Sequence, residues 1–178
     1  MQTGPDPGSR RIADKQRIEE LLDEMTVEEK VAQLGSVNAN KLLNDDATHD
    51  REAMEEHLEN GIGHLTRLGG EGSLLPRKAA KRTNELQAFL RDETRLGIPA
   101  IPHEECLSGY MGPGGTTFPQ MIGMASTWSP SLVEEITVTI RRQLSAIGTK
   151  HALSPVLDVA HEILGGDALR KRSARIRT

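Results

Sequence analysis

Aromatic side chains are nearly absent from this chain. Trp128, Tyr110, Phe89 and Phe118 are the complete set in 178 residues, so any platform on which a sugar or another ring could stack must come from very few residues. Cysteine is scarcer still. With Cys106 alone, an internal disulfide framework and a multi-cysteine zinc site are both excluded, and a reducing, cytoplasmic setting is expected. No apolar run approaches the ~20 residues of a membrane-spanning helix. Met1 to Arg11 is polar, with glycine and proline in place of an apolar signal core, so residues 1–13 read as a disordered leader to a soluble protein. A net charge of -4 provides no broad basic surface, which argues against nucleic acid and anionic membranes as partners.

What remains is a chain long enough for one domain with a real core, yet short of the ~250 residues typical of a closed α/β barrel. Ile18, Leu21, Leu22 and Met25 follow the i, i+3, i+4, i+7 spacing of a helix with one buried face. A second helix follows, with Thr26 and Glu29 placed for a capping box and Val27, Val31 and Leu34 as its inner stripe. Ser36 to Thr48 reads as polar and irregular. Asp50 then starts a short helix through Met54 and Leu58, closed at Asn60 and Gly61.

Three strands are expected, over Ile62–Leu68, Ile98–Pro102 and His151–Val159. Between the first two, a helix from about Arg77 to Arg95 turns Ala80, Thr83, Leu86, Phe89, Leu90 and Leu96 inward. Between the second and third, Ser129 caps a helix with Pro130 in its first turn and Leu132, Ile136, Ile140 and Leu144 as its stripe. Strand and helix in alternation predict an α/β fold with a parallel sheet wound right-handed. The loop Gly69-Gly70-Glu71-Gly72 lacks the lysine and the spacing of a phosphate-binding P-loop and reads as a strand-to-helix turn. The G-x-G-x-x-G of an open doubly wound sheet is also missing, whereas a polar cluster stands at the end of the second strand, where a barrel carries its function.

That cluster is His103, Glu104, Glu105, Cys106, Leu107, Ser108 and Gly109. Carboxylates accept hydrogen bonds from sugar hydroxyls and serve in acid/base work, while a solvated turn would have the same composition. Adjacent side chains on a strand point to opposite faces, so at most one of the two glutamates faces a barrel mouth. His103 and Glu104 lack the helical H-E-x-x-H spacing of a zinc hydrolase, and Cys106 has no recognisable base beside it in sequence. No cofactor and no metal is expected.

Arg17 to Leu34, Gly97 to Gly109, Gly115 to Gln120 and Leu153 to Ala160, in that order, resemble glycoside hydrolase family three, the β-glucosidase and β-xylosidase family. The resemblance implies an N-terminal part of a TIM-type (β/α)8 barrel, about its first three βα units with leading helices, over residues 14–160. It also implies retaining cleavage of β-linked glucosides or xylosides by two carboxyl groups, neither of which falls on this chain. Glu105 matches the acidic residue that holds hydroxyls of the non-reducing sugar, and Arg67, at the end of the first strand, is the second candidate for substrate binding. Ser108 departs from the family, which usually has histidine there.

After Ala160 the family continues R-D-P-R-W-G-R, whereas this chain reads His161 to Thr178. With permitted codons, the same segment read two bases out of register encodes R-D-P-R-W-G-R-V-E-E-T-F-G-E-D-P-Y, so residues 161–178 read as a frameshifted tail with no native role. The expectation is an inactive fragment. A non-catalytic sugar-binding module, or an interaction protein built on the amphipathic helices, is the alternative; nothing in the sequence sets an oligomeric state.

Overall fold

The computed structural model describes the backbone of residues 7–155 and the side chains of residues 14–155. Helix α1 spans Pro7–Glu24 and α2 spans Val27–Gln33, so helix begins inside the segment expected to be a disordered leader. The capping box is present. Thr26 Oγ1 accepts a hydrogen bond from the Glu29 amide at 3.3 Å, and a Glu29 carboxylate oxygen accepts one from the Thr26 amide at 2.9 Å, which satisfies two amides that the first turn otherwise leaves open.

The apolar stripe of α2 lies outside. Val27, Val31 and Leu34 are 70, 62 and 89% exposed, and Ile18 and Leu22 of α1 are also exposed. Spacing identifies which residues share a helix face but not which face meets a neighbour. Here the neighbour is polar: Glu29 is the buried residue of α2, turned towards Arg95, which lies just beyond the fourth helix.

After α2 comes a strand that the sequence reading missed, β1 (Ser36–Asn38), followed by a single 3-10 turn at Ala39–Lys41. A strand of this length has one inward residue, Val37, so no alternation is visible in the sequence. Helix α3 (Arg51–Leu58) is capped by Asp50, whose side chain accepts from the Ala53 amide, and it buries Met54 and Leu58. Then follow β2 (His64–Thr66), α4 (Pro76–Glu93), β3 (Ile101–Glu105), α5 (Met121–Ala125), α6 (Pro130–Ala146) and β4 (His151–Leu153). Helix α4 buries Thr83, Leu86, Phe89 and Leu90 as expected, with Ala79 in place of Ala80. Strand β3 begins three residues later than its apolar run suggested, so His103, Glu104 and Glu105 are part of the strand. Val156–Val159 of the expected third strand, and the segment 161–178, lie outside the described residues.

The sheet is four-stranded and wholly parallel, in the order β1-β2-β3-β4. Sequential neighbours with no reversal of direction are the wall of a barrel, whereas a doubly wound sheet reverses its strand order at a switch point. Among the described residues four strands are present where three were expected.

Register divides the side chains cleanly. Val37, Leu65 and Pro102 share one row and Glu104 pairs with Ala152 in another; this is the helix-covered face, packed into a core with Leu86, Leu90, Ile140 and Leu144. His64, Thr66, His103, Glu105, His151 and Leu153 alternate onto the opposite, less buried face. In a barrel that face is the interior.

Candidate active-site wall

Glu105 is the last residue of β3, half-buried, on the open face with His103 two residues before it. Glu104 is turned the other way and is only 1% exposed. Strand alternation separates the pair as anticipated, and the glutamate on the open face is Glu105. The C-terminal ends of β2 and β3 are adjacent, because Thr66 pairs with His103. Arg67 follows directly on β2, its amide donating to the His103 carbonyl at 2.9 Å.

The backbone of Arg67 is left-handed, with φ of 52°, a conformation uncommon outside glycine and asparagine. Its guanidinium donates to Glu71 Oε1 at 3.2 Å within its own loop. Among the described residues no ion pair joins Arg67 to Glu105, although both stand at the same end of neighbouring strands.

Three histidines that sequence reasoning did not group line the open face. The ring centroids of His64, His103 and His151 are 5.5, 5.9 and 6.1 Å apart, and the His64 and His103 Nδ1 atoms are 3.4 Å apart. Burial, then the neighbouring His64 and His151, lower the proton affinity of His103, while Glu105 opposes them. Among the described residues, no group of three or more histidine, cysteine or acidic side chains is arranged to hold a metal ion. Cys106 is free and buried, its thiol pushed up to about 12 by burial first and by Glu104 and Glu105 next, so it does not supply a thiolate nucleophile near neutrality.

The glycine loop after β2 holds a carboxyl group, and it is the protein's own. The Gly69 and Gly70 amides donate to Glu104 Oε1 at 2.7 and 3.3 Å.

A model of the glycosyl hydrolase family 3 N-terminal domain matches residues 26–173. The chain belongs to glycosyl hydrolase family 3. A β-xylosidase of Formosa agariphila is 36% identical over 91 residues, covering 48% of this chain and 12% of the relative. A periplasmic β-glucosidase/β-xylosidase of Dickeya chrysanthemi is 27% identical over 165 residues, covering 85 and 25%. Among solved structures, a β-glucosidase from Erythrobacter marinus superposes with a TM-score of 0.66 at 28% identity, over 79% of this chain and 18% of that one. The chain thus spans a quarter or less of the proteins it matches. In this family 3 chain the parallel wall of four strands corresponds to part of an α/β barrel. No helix among the described residues is long and apolar enough to cross a membrane.

Proposed function

We propose that this chain forms the front wall of a retaining β-glycosidase barrel, with Glu105 as its principal sugar-binding residue and Arg67 as a second. One observation carries the reading: in a family 3 chain, Glu105 ends a parallel strand on the open face, while the adjacent Glu104 is sequestered behind the sheet. A carboxylate so placed accepts hydrogen bonds from two or more hydroxyls of one sugar ring. Arg67 follows the neighbouring strand end, its guanidinium paired with Glu71 in its own loop, and is proposed to donate to the same sugar. The named relatives support glucosides and xylosides as the substrate class.

Retaining hydrolysis uses two carboxyl groups about 5–5.5 Å apart, one as nucleophile and one as acid/base. Glu104 is committed to the glycine loop and Glu105 to sugar binding, and the family's nucleophile and acid/base match no residue of this chain, so on this reading it binds without turnover. The family match runs to residue 173; on our reading the segment 161–178 is nevertheless a frameshifted remnant of the family's continuation, and the single buried Cys106 suits a reducing compartment such as the cytoplasm.

The test is direct. Titrating the chain with methyl β-D-glucoside and methyl β-D-xyloside, followed by amide chemical shifts, should perturb residues around Glu105 and Arg67. Glu105→Gln should weaken that binding at least tenfold, and an aryl β-glycoside should not be cleaved. Shifts elsewhere with none at Glu105 would sink the assignment. Sequencing the gene across the codons for Val156 to Thr178 decides the tail: an uninterrupted frame reading R-D-P-R-W-G-R restores a catalytic protein, and a confirmed break leaves a binding fragment.

A further inference from the structure

The loop between β2 and α4 is built around Glu104. A Cβ placed on Gly69 would lie 2.1 Å from Tyr110 Oη and 3.1 Å from Glu104 Oε1, and one on Gly70 would lie 2.9 Å from Glu104 Oε2 and 3.4 Å from Arg67 Nη2. Real Cβ atoms essentially never approach within 3.0 Å, so a side chain at Gly69 would have to displace Tyr110 and one at Gly70 would have to displace Glu104. The loop is closed by its own backbone, with the Glu71 amide on the Arg67 carbonyl at 2.8 Å and the Leu74 amide on the Gly69 carbonyl at 3.1 Å. Outward, the loop is attached to β3 at two points, by the Arg67 amide on the His103 carbonyl and by the Glu104 carboxylate, which accepts from the Gly69 and Gly70 amides.

Burying a carboxylate is costly unless hydrogen bonds or an opposite charge compensate. For Glu104 burial is the largest effect and raises its proton affinity above the ordinary range; the two glycine amides and the nearby Arg67 guanidinium offset it only in part, and Glu71 adds to the rise. Its second oxygen, Oε2, is buried with no hydrogen-bond partner, as is Tyr110 Oη beside the loop. A merely structural site would be served as well by an apolar side chain.

We propose that Glu104 is a positioning residue of the substrate site: its carboxylate clamps the Gly69–Gly70 turn to β3 and thereby holds Arg67 in place beside the strand end that carries Glu105. The role rests on the reading of Glu105 and Arg67 as sugar ligands. Its physical content, the hold on Arg67, is independent of that reading. Protonating Glu104 weakens the charge-assisted bonds to the two amides and loosens the loop.

The test uses the full chain, 15N-labelled, as wild type, Glu104→Gln and Glu104→Ala. Expected in the wild type is one common titration of the Gly69 and Gly70 amide shifts, with its midpoint above the ordinary glutamate range, and Glu104→Gln should abolish it. Glu104→Ala should speed amide exchange from Gly69 to Leu74 at least tenfold and move the Arg67 side-chain Nε–H signal, and Glu104→Gln should recover most of the protection. Glycine amides indifferent to the replacement of Glu104, or equal loop exchange in Glu104→Ala and wild type, would overturn the proposal. If Glu104→Ala fails to fold, the wild-type titration decides alone, because its absence refutes the clamp. Methyl β-D-xyloside binding supplies the separate arm: Glu104→Gln should lower affinity and remove its pH dependence over the same titration. A wild type that titrates as expected, with the Arg67 Nε–H signal moved in Glu104→Ala, but that binds neither methyl glycoside refutes the sugar reading while confirming the hold on Arg67.

Discussion

Arg95 reaches back from beyond the end of α4 to Glu29 in α2, its Nε donating to Glu29 Oε1 at 2.8 Å and its Nη2 to Glu29 Oε2 and to the Glu24 carbonyl. One guanidinium thus fastens α1 and α2 to the rest of the fold. The Arg95 hydrogen bond, followed by the Thr26 amide, holds the Glu29 carboxyl below its ordinary 4.5. A carboxyl whose folded value is depressed contributes stability that is present above the unfolded value and lost as pH falls through the folded one. Arg95→Ala should therefore flatten the stability–pH curve on the acid side of 4.5. Urea midpoints measured across the acid range would show this, and a variant curve parallel to wild type would contradict it.

The same Glu29 closes the capping box, so Thr26→Ala removes the acceptor for its amide. The expected loss is about 1 kcal/mol of stability. Thr26→Ser, which keeps the hydroxyl, should recover most of it. Chemical denaturation of the two variants side by side makes the comparison.

Gly69→Ala forces a methyl group against Tyr110 Oη, and overpacking of this kind costs about 1–3 kcal/mol. Tyr110→Phe removes the oxygen that the new Cβ meets first, so the double variant should be more stable than the sum of the single losses. A double-mutant cycle in urea reads the coupling; strict additivity would place the strain elsewhere.

Leu34 and Leu86 are both leucines at helical spacing, with opposite fates. Leu86→Ala opens a cavity beneath a fully buried position and should cost about 2–5 kcal/mol. Leu34→Ser, at 89% exposure, should change stability by less than about 0.5 kcal/mol. A large loss at Leu34 would mean that this face is covered in solution.

Much of the fold was legible because it is local. The Thr26 and Glu29 box, the Asp50 and Ser129 caps and the α4 stripe of Thr83, Leu86 and Phe89 follow from spacing within one or two turns, and each is present. The α2 stripe misled, since an apolar face marks only a potential contact, and the Glu29–Arg95 pair turned that helix the other way. Strand β1 escaped notice because pairing with β2, rather than its own composition, makes Ser36–Asn38 a strand.

The candidate site divides along the same line. The sequence by itself determined the α/β class, the family and the candidacy of Glu105 and Arg67, since ordered motifs and strand ends are properties of the chain. It also required that Glu104 and Glu105 face apart, because alternation is intrinsic to an extended backbone. Only the tertiary structure decided that Glu104 is the hidden one, that its carboxylate is held by glycines 34 and 35 residues earlier, and that His64, His103 and His151 meet on one face. Those facts depend on register between strands far apart in the chain, which is set by how the helices pack against the sheet and has no local signature.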